Sequence, residues 1–141
     1  MARHRYACSL RWSDMDAYGH VNNVAFLTYL EEARVDLLFE HAKRLEVDAD
    51  LEDGVVVARH EIDYLAPLDF RVEPVLVETW VERLRHGSFT LAYEVRDVHD
   101  GSTVYARARS VMVPFDLDAG RPRRLTAGER AVLEPFVETS P

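Results

Sequence analysis

Two aspartates lie two residues apart just before the point where the longest helix of the chain is expected to begin. Asp14 and Asp16 precede Gly19, which permits a tight backbone path, and Asn22 and Asn23 follow. A carboxylate in this position ordinarily caps a helix or interacts favourably with its dipole. A helix N-terminus also carries backbone N–H groups without partners, which can polarise a carbonyl oxygen. A nearby carboxylate can attack that carbonyl, or deprotonate a water that attacks it.

The segment must be positioned by the helix that follows it. Apolar residues at helical spacing predict a helix from about Val24 to about Ala42, with Asn22 or Asn23 as the N-cap. Glu31 lies two turns into this helix and could face the same cleft, but a buried pair with Arg34 is the favoured interpretation. The apolar side chains cover much of the circumference, so we expect most of the helix to be wrapped.

The rest of the chain is predicted to be mainly strand. Alternating apolar residues and turn signals delimit these segments. A short terminal helix would begin at Thr126, with Glu129 completing a capping box. The acidic stretch 43–54 is expected to be a solvated loop. The predicted strands are 6–12, 55–65, 75–84, 88–96 and 103–115, the last stopped by Pro114.

This order of elements predicts an α+β fold, in which one helix packs against one antiparallel sheet whose last four strands form a meander. The whole chain, 1–141, is expected to be one domain. A single sheet can cover only one side of the helix. The uncovered side therefore predicts a second copy of the chain, as a homodimer or homotetramer.

Composition narrows the classes of partner. The net charge is −8, which disfavours a nucleic-acid-binding protein. No stretch has the ~20 apolar residues of a membrane span, and the first residues lack the apolar core of a signal peptide. The single cysteine, Cys8, is expected to be a packed residue in a cytoplasmic protein. No metal-ligand spacing is evident, so we expect no metal and no cofactor.

The chemistry-bearing segment resembles a known family. The pattern matches the hotdog-fold acyl-CoA thioesterases of the 4-hydroxybenzoyl-CoA thioesterase (4HBT) and YbgC-like group, over roughly residues 6–115. The matching stretches are Asp14-x-Asp16-x-x-Gly19-His20-Val21-Asn22-Asn23, then Phe26-x-x-Tyr29-Leu30-Glu31-x-Ala33-Arg34, then Asp63-Tyr64-Leu65-Ala66-Pro67-Leu68.

The resemblance implies the hotdog fold, a long central helix wrapped by a five-stranded antiparallel sheet. It also implies dimers that pair their sheets edge to edge through the second strand, with active sites at the subunit interface. The implied activity is hydrolysis of an acyl-CoA thioester. Coenzyme A would then be part of the substrate, and no separate cofactor would be needed.

Site residues follow by carrying the family pattern onto this chain. Asp16 matches the catalytic carboxylate, either nucleophile or general base. Asn23 matches the position whose backbone N–H binds the thioester oxygen. His20 could itself be a base, since its pKa lies near neutrality, but the resemblance favours a positioning role in the loop. Val21, Asn22 and Phe26 would line the substrate site with His20.

Three further residues are candidates for the coenzyme A portion. Ser88 occupies a position that in the family often lies near the pantetheine or nucleotide path, although it could equally be a turn serine. Arg83 and Arg85 could bind phosphates, because guanidinium groups bind phosphate bidentately, or could be solvated surface residues.

Two other functions stay open at this stage. An acyl-carrier-protein thioesterase would use the same chemistry, although the acidic charge of the chain mildly disfavours an acidic carrier. A non-catalytic acyl-CoA-binding hotdog module would need no carboxylate at position 16, so the presence of Asp16 argues against it.

Overall fold

The antiparallel sheet provides the frame of the protein. The structure, a computed structural model, describes residues 3–44 and 54–138. The strands are β1 (His4–Cys8), β2 (Val55–Tyr64), β3 (Val75–Leu84), β4 (Phe89–Arg96), β5 (Val104–Asp116) and the two-residue β6 (Arg121–Pro122). Their order is β1-β3-β4-β5-β2, and β6 folds back on the end of β5.

One helical segment packs against this sheet. It begins as α1 (Asn23–Val35), continues as a π-helical segment (Asp36–His41) and ends in α2 (Ala42–Arg44). Its N-cap is Asn22, whose side chain accepts a hydrogen bond from the N–H of Val24 at 2.9 Å. This arrangement confirms the predicted α+β hotdog fold, with one long helix against a five-stranded antiparallel sheet.

The helix is buried on one side and exposed on the other within the single chain. Its sheet-facing side is buried, whereas the opposite side is acidic and exposed at Glu31, Glu32 and Glu40. Within one chain the sheet therefore covers one side of the helix, and coverage of the other side by a second chain stays a prediction. The buried helical residues are Phe26, Tyr29, Leu30, Ala33, Arg34, Leu37, Leu38 and Ala42.

The second strand lies at the far edge of the sheet rather than beside β3. The predicted four-strand meander is correct only for β3, β4 and β5, because β2 pairs with β5 along its length. The chain from β2 to β3 therefore crosses the sheet. The outer edge of β2 has no partner among the described residues, and most of the side chains of this strand are exposed.

The end of β1 and the extension of β5 past Pro114 depart most clearly from the prediction. β1 ends at Cys8, and the chain forms a short 3-10 turn at Trp12–Asp14, because Asp14 accepts hydrogen bonds from Arg11. β5 continues through Pro114 to Asp116. Proline lacks an N–H but keeps its carbonyl, which accepts a hydrogen bond from the N–H of Arg123.

The C-terminal segment follows its local sequence signals closely. α3 (Ala127–Leu133) has the predicted capping box, with Thr126 and Glu129 bonding each other's backbone N–H groups. A 3-10 turn at Glu134–Phe136 follows, and the N–H of Glu138 then donates to the carbonyl of Val81 on β3. The predicted acidic loop falls largely on residues 45–53, which lie outside the described residues.

Candidate active site

Asp16 lies in a tight loop that holds its carboxylate by backbone groups. Its Oδ1 accepts hydrogen bonds from the N–H of Tyr18 at 2.8 Å and of His20 at 3.1 Å. The backbone N–H of Asp16 also donates to the carbonyl of His20 at 2.7 Å. Gly19 makes this turn with φ near +77°, a conformation that side chains disfavour. Oδ2 of Asp16 has no protein partner within the described ranges and is available for chemistry.

The start of the helix lies next to this loop. The N–H of Asn22 donates to the carbonyl of Asp14 at 2.8 Å, and the N–H of Val24 is capped by the side chain of Asn22. The N–H between them, that of Asn23, has no acceptor among residues 3–44 and 54–138, as expected for the first residue of a helix. Asn23 is exposed, so this donor is open to a ligand.

Asp14 anchors the loop from beneath. Its carboxylate is buried, and its Oδ2 accepts from the hydroxyl of Tyr29 at 2.7 Å and from the N–H of Arg11 at 3.1 Å. Burial alone would raise the pKa of the Asp14 carboxyl, but the hydrogen bonds from Tyr29 and Arg11 outweigh it, so this pKa is lowered. These contacts make Asp14 a carboxylate that stabilises the loop.

An open groove of about 400 Å³ joins the two candidate catalytic groups. One wall is formed by the loop and the start of the helix. The other wall is formed by the end of β2 and the segment after it, and the N–H of Val21 bonds the carbonyl of Leu68 at 2.8 Å across the floor. The lining residues are Asp16, His20, Val21, Asn23, Phe26, Tyr64, Leu65, Ala66, Pro67 and Leu68.

His20 and Asn22 contribute to the geometry of the loop. The backbone N–H of His20 holds Asp16, while its Nε2 lies 3.3 Å from Oδ1 of Asp69. Both side chains of this pair are substantially exposed, so the contact contributes little to stability. Asn22 serves as the N-cap and is not among the residues lining the groove.

The second wall of the groove was not identified from the sequence as part of the site. The stretch 64–68 was noticed only as part of the family pattern. In the structure, Tyr64 donates a hydrogen bond from its hydroxyl to the carbonyl of Asn23 at 2.8 Å, and its ring packs edge-on against Phe26. No local signal could have found this contact, since it joins residues 41 positions apart in sequence.

The candidate coenzyme A residues lie at the opposite end of the sheet from Asp16. Arg83, Arg85 and Ser88 flank the turn between β3 and β4, where the N–H of Arg85 bonds the carbonyl of Ser88 at 2.9 Å. Strand register places this turn near Met112 of β5, whereas the groove lies near Ala106. Six residues of strand separate these positions by about 20 Å. The structure therefore does not bring these residues to Asp16 within one chain.

Glu31 and Arg34 do not form the buried pair that was predicted. Glu31 has 67% of its side chain exposed, and its carboxylate lies 3.9 Å from the Arg34 guanidinium. Arg34 is the buried member, because it faces the sheet, where it donates to the hydroxyl of Tyr93 at 3.3 Å. His60, on the exposed strand β2, bonds Ser110 through Nδ1 at 2.7 Å.

Neither a metal site nor a membrane span is found in the part of the chain that the structure describes. Across residues 3–44 and 54–138, no three His, Cys, Asp or Glu side chains are grouped so that they could hold a metal ion. No helix in those ranges is both long and apolar enough to cross a membrane. Cys8 is buried against the core, as predicted.

The architecture and the groove together define the class of protein. A long helix packed against one antiparallel sheet is the hotdog arrangement of the thioesterases to which this chain is similar. The chain belongs to the Thioesterase-like superfamily, whose family model matches residues 10–136.

Solved structures and a curated protein are similar over most of the chain. A protein of Bacillus stearothermophilus described as a predicted thioesterase is 27% identical, with a TM-score of 0.82 over 99% of this chain and 100% of that one. A Thermus thermophilus thioesterase, solved with coenzyme A and Zn, is 32% identical, with a TM-score of 0.75 over 94% and 92%. YsmA of Bacillus subtilis (strain 168), uncharacterised, is 28% identical over 89% of this chain and 81% of its own.

The Asp14 anchor generates a pH-dependent stability prediction. The pKa of Asp14 is lower in the folded protein than in an unfolded chain, where it is about 3.9. The contribution of Asp14 to the free energy of unfolding is therefore fully present above about pH 3.9 and is lost as the pH falls through the lower pKa of the folded state. We expect Asp14→Asn to lower the free energy of unfolding at neutral pH by about 1–3 kcal/mol.

Urea unfolding of the wild type and of Asp14→Asn, followed across an acid titration, measures this effect. The difference between the two proteins should shrink as the pH falls below about 4. A difference that stays constant down to strong acid would contradict a charged Asp14 as the anchor.

Proposed function

We propose that this protein hydrolyses acyl-CoA thioesters to a free acid and coenzyme A. The observation that carries the proposal is that Asp16 and the free N–H of Asn23 line the same groove. One group can drive attack on a carbonyl, and the other can stabilise the negative charge that develops on its oxygen. Membership of the thioesterase-like superfamily supports the same chemistry.

The thioester would bind with its carbonyl oxygen on the N–H of Asn23. A single donor of this kind contributes roughly 3–4 kcal/mol to the transition state. Asp16 can then act in one of two ways. Direct attack forms a mixed anhydride on Asp16 and releases the coenzyme A thiolate, and water hydrolyses the anhydride. Alternatively, Asp16 removes a proton from a water that attacks the carbonyl, and the thiolate leaves with that proton.

The preference for a coenzyme A ester over an acyl-carrier protein is the finer part of the proposal. The similar Thermus thermophilus thioesterase was solved with coenzyme A, which supports a small-molecule thioester. The net charge of −8 is also poorly matched to an acidic carrier protein. We therefore assign coenzyme A esters as the substrate class and treat an acyl-carrier protein as the comparison substrate.

The same proposal includes a homodimer, or a tetramer built from dimers, that pairs through β2. This strand is ten residues long, and its outer edge is open in the described chain. A long unpaired edge is normally covered, because its N–H and C=O groups otherwise recruit other strands. In an antiparallel pair, the partner's β2 would run in the opposite direction, so its first residues would lie beside the end of β2 in this chain. The partner's Arg83, Arg85 and Ser88 would then approach the groove that they cannot reach within their own chain.

Substitution of the carboxylate is the first test of the proposed activity. We expect purified wild-type protein to release free thiol from acyl-CoA esters, and Asp16→Asn to lower kcat at least about a hundredfold, because the amide is neither a base nor a nucleophile. A thiol-reactive dye measures the rate, and circular dichroism checks the fold. Asp118→Asn, an exposed turn residue far along the chain, is the matched control.

Equal activity of Asp16→Asn and wild type would overturn the assignment of Asp16. Wild-type protein that is inert on short, long and aromatic acyl-CoA esters would overturn the proposed reaction. Faster turnover of acyl-carrier-protein esters than of matched coenzyme A esters would show that acyl-carrier-protein esters, not coenzyme A esters, are the substrate class. Single-turnover hydrolysis in heavy-oxygen water separates the two mechanisms, since only direct attack can place a labelled oxygen in Asp16.

The reaction is proposed to need no metal or other cofactor, because a carboxylate, a helix N-terminus and a good thiolate leaving group suffice. Dialysis against a strong chelator should therefore leave kcat and KM for an acyl-CoA ester unchanged. Loss of activity that is restored by adding back a divalent metal would contradict this expectation. Wild-type protein dialysed in parallel without the chelator reports any loss caused by the dialysis itself.

The assembly is tested by mass in solution. Sedimentation equilibrium should give two or four times the mass of the chain over a wide range of protein concentration. A monomer that is fully active would show that one chain forms a complete site, and would contradict the β2 pairing.

A further inference from the structure

Tyr64 joins the two walls of the groove and lies next to the site where the thioester would react. We propose that Tyr64 positions the first turn of the helix through its hydroxyl and restricts bulk beside the reacting carbonyl through its ring. The preferred substrates would then be acyl groups that are unbranched next to the thioester. This inference rests on the proposed acyl-CoA hydrolysis and specifies its substrate class.

The hydroxyl of Tyr64 fixes the residue that would polarise the thioester. It donates to the carbonyl of Asn23 at 2.8 Å, which ties the first helical residue to the end of β2. The N–H and C=O of one residue are separated by at most about 3.6 Å, so the phenol oxygen lies within about 6.5 Å of the Asn23 nitrogen. A small displacement of that donor would weaken its bond to a developing oxyanion, since such bonds depend steeply on geometry.

The hydroxyl is suited to act as a permanent donor. Burial raises the pKa of Tyr64 above its usual value, so the phenol stays protonated at neutral pH. Its acceptor is a backbone carbonyl, which cannot titrate. The contact therefore holds the helix start at neutral pH.

The ring of Tyr64 is fixed on one side and open on the other. It packs edge-on against Phe26, with the ring centroids 5.5 Å apart at an angle of 73°. Phe26 is only 3% exposed and is held by the core, whereas Tyr64 is 46% exposed. Both rings line the groove. Tyr64 therefore forms a firm wall on the side where the groove is open.

An acyl group bound in the groove would run past this wall. A carbonyl oxygen bound to the Asn23 N–H lies about 2.9 Å from its nitrogen, and the ring of Tyr64 lines the same groove as Asn23. A straight acyl chain can run along the apolar segment 65–68, whereas a branch at the first carbon meets the ring. Contacts of this kind discriminate by about 10–200-fold per methylene-sized group.

Removal of the hydroxyl alone tests the positioning role. We expect Tyr64→Phe to lower kcat for butyryl-CoA about three- to tenfold, the usual value of one hydrogen bond, while KM changes little. The ratio of kcat/KM for butyryl-CoA over isobutyryl-CoA should not change, because the ring is retained. Tyr6→Phe, a partly buried tyrosine on β1 outside the groove, is the matched control and should retain wild-type kinetics.

Removal of the ring tests the selectivity role. We expect Tyr64→Ala to raise the rate on isobutyryl-CoA and benzoyl-CoA relative to butyryl-CoA by about tenfold, because the wall beside the carbonyl is gone. Butyryl-CoA and isobutyryl-CoA have the same number of carbons, so overall hydrophobicity cannot produce this change. Tyr64→Leu, which keeps more of the packing against Phe26, provides a second variant if the alanine variant unfolds.

The outcomes separate this inference from the proposed function. Wild-type protein that hydrolyses butyryl-CoA, with Tyr64→Ala and Tyr64→Leu keeping the wild-type ratio of branched to straight substrate, would overturn the selectivity role. A Tyr64→Phe variant with wild-type kcat would overturn the positioning role. Wild-type protein inert on every ester would instead reject the hydrolase proposal, and the role of Tyr64 with it.

Discussion

The loop that carries Asp16 depends on one buried carboxylate, that of Asp14. Asp14 accepts hydrogen bonds from Tyr29 on the helix and from Arg11 before the loop, and its carbonyl receives the N–H of Asn22. Through these contacts the loop is fixed to the first turns of the helix. A buried charge without such partners would be strongly destabilising, so its satisfied state keeps the arrangement rigid.

The two aspartates of the motif are separated by environment rather than by sequence. Asp14 is buried and accepts hydrogen bonds from the Tyr29 hydroxyl and from the backbone and side chain of Arg11, whereas Asp16 is partly exposed and is held through one oxygen by backbone N–H groups. A carboxylate with all its acceptor positions occupied cannot readily attack or accept a proton. Asp16 keeps one oxygen without a partner among the described residues, which suits it to the proposed attack or proton transfer. Asp14 thus holds the loop in place, and the loop in turn holds Asp16, which lies only two residues further along the chain.

The candidate coenzyme A residues and the groove lie at opposite ends of the sheet within one chain. The groove opens at the end of β2, while the arginines suited to phosphate lie about 20 Å away at the turn between β3 and β4. The open edge of β2 runs between these two ends. The proposed pairing through β2 would bring them together, and it would also cover an edge that has no partner among the described residues.

Local signals in the sequence determined much of this protein. The helix, its Asn22 cap, the limits of β3, and the Thr126–Glu129 capping box all depend on residues within a few positions of one another. The motif also located Asp16 beside a helix N-terminus. Only the tertiary structure decided that β2 lies beside β5, that the helix turns an acidic face to solvent, and that Tyr64 meets Asn23. These features arise from strand pairing and packing between distant segments, which local periodicity does not encode.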